Sequence, residues 1–380
     1  MDNFTFFNPT KILFGKGQIT ALKNEIPKKS RILMLYGKGS IKSNGIYDQV
    51  IQELHGYHLV ELGGILPNPT YAQALQAIEL IKTNQLDFIL AVGGGSVIDA
   101  AKFISVGAFL QDPWENLKNQ KYNGQLPLGV VLTHPATGSE MNCGYVVTHN
   151  EDKRAFLTPP VYPLFSILDP SVIASLSKQQ IANGLVDSYV HVIEQYLTYP
   201  VNAALQDGFA EAILKTLIEI GPKIVNNPKD YDLAANFMWC TTLACNGLIG
   251  RGVPHDWATH LIGHELTALY GMDHAATLAI ILPAIMRMQQ EQKVEKLCQY
   301  AKNVWNIDGK IKQETVNAVI EKTENFFISL GMKTRWSEHG IEDALDTIIP
   351  KILRNKGYLP LGERQDINEA QVSQAMQLSK

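Results

Sequence analysis

Residues 88–96 read Phe-Ile-Leu-Ala-Val-Gly-Gly-Gly-Ser, and the predicted fold rests mainly on this segment. Apolar residues fill Phe88–Val92, which has the length of a buried strand, and Val97–Phe109 has the spacing of a helix. Glycines between a strand and a helix let a phosphate approach the backbone, and the helix N-terminus offers free N–H groups. Ile98 stands where the GxGxxG fingerprint needs its last glycine, so a plain tight turn is an equal alternative.

The same alternation of strand and helix signals extends to both sides of this stretch. The predicted elements are strands at Arg31–Tyr36, Leu59–Leu62 and Leu128–Leu132 and a helix at Tyr71–Thr83. Repeated strand–helix units favour a parallel sheet covered by helices, which is an α/β fold. Near the beginning of the chain, Phe4–Phe7 and Lys11–Phe14 flank Asn8-Pro9-Thr10 and predict a hairpin.

The second half of the chain has a different pattern. Strand signals largely vanish, and helix-periodic segments follow one another at about 178–197, 203–220, 231–249, 257–270, 274–291, 293–304 and 313–330. A chain of 380 residues is long enough to form two cores. We therefore predict an α/β domain at residues 1–175, which carries the glycine turn, and a helical domain at residues 176–380.

The composition excludes several classes of protein. The net charge is −4 and no long basic run occurs, so nucleic acid and an anionic membrane are poor partners. The longest apolar runs are far too short to span a bilayer, and the N-terminal residues lack the pattern of a secretory leader. The four cysteines show no CxxC spacing, which argues against a cysteine zinc site and favours a reducing cytoplasm.

Histidines are concentrated in one short part of the chain, because four of the ten lie between residues 255 and 274. His260 and His264 are four residues apart and share a helix face. On one straight helix His274 would lie about 20 Å from His260, too far to share an ion. Gly271 is a natural helix stop and Asp273 a natural N-cap, so a turn can fold His274 back beside His260.

Asp187 and His191 form a second pair with helical spacing upstream of this cluster. Facing helices of a bundle commonly direct such side chains inward to build a metal site. The residues alone leave a plain alternative open, since a buried histidine is more often a hydrogen-bonded core residue than a ligand. His264-Glu265 is not the zinc-protease motif, because Ala268 stands where its second histidine is required.

Several ordered motifs resemble those of one known family. The longest runs from Gly247 to His274 and reads GLIGRGVPHDWATHLIGHELTALYGMDH. The others are Phe7–Gly17, Pro67-Asn68-Pro69, Gly93–Asp99, Thr137–Glu140 and Leu361–Glu363. By these motifs, which run nearly end to end, the chain resembles the iron-containing (group III) alcohol dehydrogenases, in particular the bacterial branch of NADPH-dependent aldehyde reductases and butanol dehydrogenases.

The resemblance implies a dehydroquinate synthase-like fold, in which an α/β domain binds NADP and an all-α domain binds a divalent metal. The implied metal ligands are Asp187, His191, His260 and His274. One carboxylate and three imidazoles suit either Fe²⁺ or Zn²⁺. His264 is implied to lie near the substrate without binding the metal. We take it as a candidate catalytic proton relay, and the alternative is that it only orients the site.

The resemblance also makes the glycine turn the pyrophosphate loop of the cofactor site. The implied contacts are Gly94, Gly95 and Ser96 in the turn, Asp99 facing the cofactor, and Asn68, Thr133, Thr137 and Lys153 from other segments. Taken alone, each of these would be assigned to a turn, a helix start or the surface. Asp99, for example, is also a first-turn carboxylate of the kind that the helix dipole favours.

The turn after the first long strand bears on the choice of cofactor. It reads Gly37-Lys38-Gly39-Ser40-Ile41-Lys42-Ser43 and lacks the acid with which NAD enzymes often bind ribose hydroxyls. The small residues Gly37 and Gly39, the hydroxyl of Ser40 and the two lysines suit a 2′-phosphate. The turn therefore predicts NADP over NAD, and the alternative is that the lysines are only solvated surface charges.

The implied activity is hydride transfer between NADP(H) and a small aldehyde or primary alcohol, in a cytoplasmic homodimer. A metal-dependent enzyme of the same fold without net redox chemistry, such as a dehydroquinate synthase, is the alternative. The spacings from Asp187 to His191 and from His260 to His274 fit the alcohol dehydrogenase pattern better. A nucleotide-binding sensor without catalysis is a third possibility, against which the presence of all four ligands argues.

Overall fold

The computed structural model describes residues 1–150, 152–157 and 160–380. The described chain divides into two compact units. The sheet unit contains residues 7–176 and 228–246, and the helical unit contains residues 1–6, 177–227 and 247–380. The units thus alternate along the chain, whereas the sequence predicts two consecutive ranges, 1–175 and 176–380. The assignment of one function to each of those ranges stays a prediction.

The strands of the sheet unit form two sheets in the part of the chain that the structure describes. They are β1 (Lys11–Phe14), β2 (Arg31–Tyr36), β3 (His58–Leu62), β4 (Phe88–Gly94), β5 (Leu128–His134), β6 (Tyr145–His149), β7 (Asp152–Phe156) and β8 (Phe165–Leu168). The larger sheet has the order β1-β8-β5-β4-β2-β3 with every neighbouring pair parallel, and β6 and β7 form a separate antiparallel hairpin. This architecture confirms the predicted parallel α/β sheet.

The hairpin predicted near the beginning of the chain is wrong. Phe4–Phe7 has no regular structure, and Lys11–Phe14 is instead the edge strand β1, which pairs in parallel with β8. Asn8 does not turn the chain into a hairpin, because its side-chain amide donates to the carbonyl of Met141 at 2.8 Å and of Asn246 at 3.1 Å. These contacts are distant in sequence, so the local pattern could not reveal them.

The helices account for most of the second half of the chain. They are α1 (Leu22–Glu25), α2 (Ser40–Ser43), α3 (Ile46–Glu53), α4 (Tyr71–Asn84), α5 (Gly95–Gly107), α6 (Pro113–Lys118), α7 (Lys178–Tyr196), α8 (Ala204–Asn226), α9 (Tyr231–Ala244), α10 (Ala258–Tyr270), α11 (His274–Met288), α12 (Val294–Trp305), α13 (Lys312–Ser329), α14 (Leu345–Asn355) and α15 (Glu369–Leu378). Residues 178–330 contain the helices that the sequence predicts there. Of these, α9 belongs to the sheet unit.

The order of the strands creates a switch point in the larger sheet. From β2 the chain moves outward to β3, and from β4 it moves to β5 on the opposite side, although β2 and β4 are neighbours. In open parallel sheets, ligands bind beyond the carboxyl ends of two strands that diverge in this way. The segments at this position are the turn that begins at Gly37 and the glycine turn that begins at Gly93.

The helical unit has its own apolar core. Buried side chains from α10, α11, α14 and α15, together with Trp336, Leu361 and Ile367, form one continuous cluster in it. Burial of this size is the main source of stability for such a bundle, since about 25 cal/mol is gained per Å² of apolar surface removed from water. Among the described residues, no helix has the length and apolar character needed to cross a membrane.

Candidate metal centre and nucleotide site

Helix α7 carries the first two candidate ligands on one buried face. It begins at a capping box, in which the Ser177 side chain accepts from the backbone of Gln180 and the Gln180 side chain accepts from that of Ser177. This arrangement satisfies backbone donors at the helix start and fixes where the helix begins. Asp187 and His191 follow one turn apart, and both are buried.

The turn between α10 and α11 brings the other two candidate ligands together. Gly271 ends α10 in the left-handed conformation, with φ at 63°. Asp273 occupies the N-cap position of α11, but its carboxylate accepts from the Asn183 side chain at 3.1 Å rather than capping the helix. His274 is the first residue of α11, and its ring centroid lies 5.2 Å from that of His260.

These four side chains converge on the Asp187 carboxylate. The distances from Asp187 Oδ1 are 3.6 Å to Nδ1 of His191, 3.7 Å to Nε2 of His260 and 3.9 Å to Nε2 of His274. Candidate ligand atoms of Asp187, His191 and His260 all lie within 4.8 Å of one another. The three distances from Asp187 Oδ1 fit atoms that share one ion at bond lengths of about 2.0–2.2 Å.

Three of the converging atoms lack hydrogen-bond partners among the described residues. Asp187 Oδ1, His191 Nδ1 and His260 Nε2 are all buried in this condition. A buried polar atom without a partner costs about 1–3 kcal/mol, so three such atoms facing one point are unfavourable unless something binds them. A divalent cation would accept lone pairs from all three, and the donor set therefore fits a metal.

The two central imidazoles differ in their affinity for protons. Burial lowers the pKa of His191 to about 4, against the opposing effect of the Asp187 carboxylate. Burial also lowers the pKa of His260, but the carboxylates of Glu194 and Asp187 outweigh it and raise the pKa to about 9. The surroundings of His260 thus favour positive charge, which is the electrostatic environment that a cation requires.

Two neighbours of this cluster were missed by sequence reasoning. Glu194 accepts from the His260 ring and, at 2.6 Å, from the backbone N–H of Thr259. It lies one helical turn beyond His191 on α7, and this spacing was the signal that could have revealed it. The second neighbour is Trp257, which has φ at 61° and whose ring centroid lies 5.3 Å from that of His260.

His264 lies beside the cluster, on the helix that carries His260. Its ring centroid is 5.1 Å from that of His274 and 6.4 Å from that of His260. The residue is partly exposed. This placement agrees with a side chain that adjoins the candidate ligands, while its role as a proton relay stays a prediction.

In the sheet unit, the glycine turn is packed against the segment that follows β5. A Cβ atom on Gly95 would lie 2.4 Å from Oγ1 of Thr137, and one on Gly94 would lie 3.0 Å from Cβ of His134. A side chain at Gly95 or Gly94 would therefore require Thr137 or His134 to move. The turn therefore brings Gly94, Gly95 and Thr137 together, close to the end of β5 that contains Thr133.

A second set of contacts brings other predicted cofactor residues to the same turn. The Ser96 hydroxyl donates to the carbonyl of Pro67, which precedes Asn68. On the other side of Asn68, the carbonyl of Pro69 accepts from the backbone N–H of Thr148 at 2.9 Å. Thr148 is paired across the β6–β7 hairpin with Lys153. Ser96, Asn68 and Lys153 thus belong to one connected region.

The carboxylate of Asp99 accepts hydrogen bonds from residues of the sheet unit. One oxygen accepts from the Ser139 hydroxyl at 2.6 Å, and the other accepts from the backbone N–H of Val146 at 2.9 Å. Burial raises the pKa of its carboxyl group, which Lys102 opposes. Asp99 therefore supports the region behind the glycine turn, and its contact with a cofactor stays a prediction.

Lys102 places a buried cation in this region, and sequence reasoning did not identify it. Its fully buried ammonium donates to Ser139 Oγ at 2.9 Å, to both oxygens of Asn142 at 2.8 and 3.0 Å, and to the Gly144 carbonyl at 2.9 Å. Burial lowers the pKa of Lys102 to about 8, although Asp99 opposes the shift. Lys102 thus connects α5 to the 139–144 segment through charged hydrogen bonds.

The turn after β2 places small and basic residues at the carboxyl end of the sheet. Gly37 and Ser40 are at least partly exposed, and Gly39 has φ at 117°, which glycine tolerates best. The Lys42 ammonium lies 4.7 Å from the Tyr47 ring centroid, and Tyr47 donates to Glu61 at 2.9 Å. An acid from β3 therefore adjoins this turn, which inspection of the turn's own residues could not show.

Comparison with known protein families gives matches over most of the chain. Residues 9–170 match the family described as iron-containing alcohol dehydrogenase, and residues 181–377 match the description of the C-terminal part of the Fe-containing alcohol dehydrogenase family. Both segments therefore point to one family.

Individual relatives are similar over nearly their full length. The NADPH-dependent aldehyde reductase YqhD of Escherichia coli is 48% identical, with 97% of each chain covered. The NADP-dependent alcohol dehydrogenase 3 of Entamoeba histolytica is 41% identical, with 97% of this chain and 96% of that protein covered. These identities are far above the level at which only a fold is shared.

Solved structures of similar proteins have the same fold. A crystal structure of the E. coli protein matches with a TM-score of 0.97 and 46% identity, covering 100% of this chain and 99% of that one. The NADH-dependent butanol dehydrogenase A of Thermotoga maritima matches with a TM-score of 0.94 and 34% identity, again covering 100% and 99%. The fold agrees with both structures across the whole chain.

Proposed function

Because the chain belongs to the iron-containing alcohol dehydrogenase family, we propose that it transfers hydride between NADP(H) and a small aldehyde or primary alcohol in a metal-dependent reaction. One observation carries the proposal more than any other. Buried atoms of Asp187, His191 and His260 converge without hydrogen-bond partners among the described residues. Such an arrangement is unfavourable in a structural core and is suited to binding a cation.

The metal would be held by Asp187, His191, His260 and His274. When bound, a divalent cation would supply a Lewis acid for the oxygen of the aldehyde or alcohol. The Asp187 carboxylate would balance part of the positive charge. His191 and His260 are buried, whereas a quarter of the His274 side chain is exposed. The donor set suits Fe²⁺ or Zn²⁺, and elemental analysis of protein purified without air distinguishes them.

For the cofactor we propose NADP, with the pyrophosphate at the glycine turn of Gly94, Gly95 and Ser96. The support is the switch point of the sheet together with the free N–H groups at the start of α5. Further contacts are proposed for Gly37, Gly39, Ser40, Asn68, Asp99, Thr133, Thr137 and Lys153. The relative from E. coli is named for NADPH and the structure from T. maritima for NADH, so the preference needs direct measurement.

We propose that His264 moves the proton that aldehyde reduction requires. Reduction leaves negative charge on the substrate oxygen, and an imidazole near neutrality can donate a proton to it. His264 adjoins His274 and is partly exposed, so its proton can exchange with solvent. A His264→Ala variant that retains metal and full turnover would remove this role.

The decisive experiment follows absorbance of the reduced nucleotide in the presence of butanal, with protein of known metal content. We expect oxidation of NADPH in proportion to butanal consumed, with a higher kcat/KM for NADPH than for NADH. A clear NADH preference would refute the cofactor proposal. Turnover of a substrate without net nucleotide oxidation would favour the non-redox alternative and overturn the activity.

We further propose a homodimer in the cytoplasm. β1 lies at the edge of the larger sheet and, within the described ranges, pairs with a strand on one side only. An exposed parallel edge is a template for pairing with another chain. Light scattering of the purified protein tests the dimer, because a mass near that of one chain would contradict it.

A further inference from the structure

Glu194 adjoins the candidate metal centre without being one of its proposed ligands. It lies on α7, and its side chain is almost completely buried. Its two oxygens have separate partners: one accepts from Nδ1 of His260, and the other accepts from the backbone N–H of Thr259 at 2.6 Å. The carboxylate therefore binds two consecutive residues at the start of α10.

The contact with His260 determines which ring nitrogen faces the centre. Because Glu194 holds the proton on Nδ1, the nitrogen of His260 that must release its proton to bind a cation is Nε2, which lies 3.7 Å from Asp187 Oδ1. Within the described part of the chain, Nε2 of His260 is buried and has no hydrogen-bond partner. A hydrogen bond at one imidazole nitrogen thus prepares the other nitrogen to bind a cation.

A second contact fixes the position of the segment that carries His260. The carbonyl of Glu194 accepts from the backbone N–H of Asp256 at 2.9 Å. The carboxylate of Asp256 in turn accepts from the backbone N–H of Ala258 at 2.9 Å and from Lys293 at 2.7 Å. Glu194 therefore holds both the backbone that enters α10 and the ring of its third residue.

From this geometry we propose that Glu194 is a positioning residue for the metal: it selects the His260 tautomer with a free Nε2 and adds a second negative charge beside the ligands. The inference rests on the proposed function, since it assumes a metal at the four side chains. A neutral amide at this position could not accept from both His260 and Thr259 through oxygen alone. One of the two donors would then face an NH₂ group.

The test compares Glu194→Gln with Glu265→Gln. Glu265 is a matched control because it is a buried carboxylate on α10, the helix of His260, but its partner is the Lys356 ammonium at 2.8 Å. Zn²⁺ affinity is measured in metal-free protein by competition with a chromophoric chelator, without nucleotide or substrate. We expect the Kd for Zn²⁺ to rise about 10- to 100-fold in Glu194→Gln and to stay unchanged in Glu265→Gln.

The outcomes separate this inference from the proposed function. If wild-type protein binds Zn²⁺ and Glu194→Gln binds it equally tightly, the positioning role is wrong while the metal centre stands. If wild-type protein does not bind Zn²⁺, the proposed function itself fails. Glu194→Asp, which keeps the charge but shortens the side chain, should give an intermediate Kd. If both Glu194 variants lose their helical circular dichroism while Glu265→Gln retains it, Glu194 serves folding and the metal role is overturned.

Discussion

The two units each bury a polar cluster, and the clusters differ in how completely their atoms are satisfied. In the sheet unit, Lys102 donates to four acceptor atoms, and both oxygens of Asp99 accept hydrogen bonds. In the helical unit, Asp187, His191 and His260 turn polar atoms toward one another, and these have no such partners among the described residues.

A structural cluster and a binding centre can be distinguished by the hydrogen bonding of their atoms, even when both are buried. A satisfied network stabilises its surroundings and offers little to a ligand. Convergent unsatisfied atoms cost free energy in the isolated chain, and a bound ion recovers that cost. Substitutions in the two clusters should therefore affect different properties of the protein.

The largest effect is expected from Asp187→Ala, which removes the carboxylate at the centre of the helical unit's cluster. Without it the metal is lost, and with it several kcal/mol of transition-state stabilisation, so kcat/KM for aldehyde reduction should fall by about 10³-fold or more. Steady-state kinetics and elemental analysis measure both losses. Asp308→Ala is the control, because that carboxylate is exposed and pairs with Lys302. If Asp187→Ala kept its full metal content and normal turnover, the cluster around Asp187 would not be a metal-binding centre.

A smaller effect, on stability instead of chemistry, is expected from Lys102→Met. The change leaves the carbonyls of Asn142 and Gly144 without their buried donor, and breaking a buried charged network costs about 3–5 kcal/mol. Urea unfolding should show this loss, while Zn²⁺ binding to the helical unit should be unaffected. Lys121→Met, at an exposed position, should change neither property. Loss of Zn²⁺ binding in folded Lys102→Met would show that the clusters are not independent.

The smallest effect concerns pH and also belongs to Lys102. Its pKa is about 8 in the folded protein, against 10.5 for an ordinary lysine. Between these values the unfolded chain binds a proton that the folded chain has released, so stability rises with pH there and is flat below pH 8. The free energy of unfolding of wild type relative to Lys102→Met should increase by up to about 3 kcal/mol, at about 1.4 kcal/mol per pH unit. If the free energy of unfolding of wild type relative to Lys102→Met fell above pH 8, Lys102 would not have the lowered pKa of a buried lysine.

Local chemistry made some features predictable from the sequence. The strand and helix around the glycine turn follow from an apolar run and helical spacing, and both are confirmed as β4 and α5. The chain reverses between α10 and α11 and so brings His274 beside His260. This follows from Gly271, because glycine readily adopts the left-handed conformation that ends α10. Features of this kind depend on neighbours within one or two turns of the chain.

Other features depend on partners that are far apart in sequence. The parallel pairing of β1 with β8, the Glu194–His260 contact and the position of Glu61 beside the turn after β2 all join distant segments. No periodicity in the chain encodes them. The roles of the individual site residues stay predictions for the same reason, since a side chain's function depends on what it meets in space.

The chain order of the two units has a consequence for how the protein can be made. Residues 228–246 complete the sheet unit, and there the buried carboxylate of Glu140 accepts from the Thr242 hydroxyl at 2.6 Å. During synthesis the earlier part of that unit must wait until residue 246 has left the ribosome, and residues 177–227 emerge in the interval. A fragment that ends at residue 176 would lack residues 228–246, and its buried Glu140 carboxylate would lose the Thr242 hydroxyl as a donor. A linker that joins 228–246 to residue 176 would restore that contact in a separately expressed sheet unit.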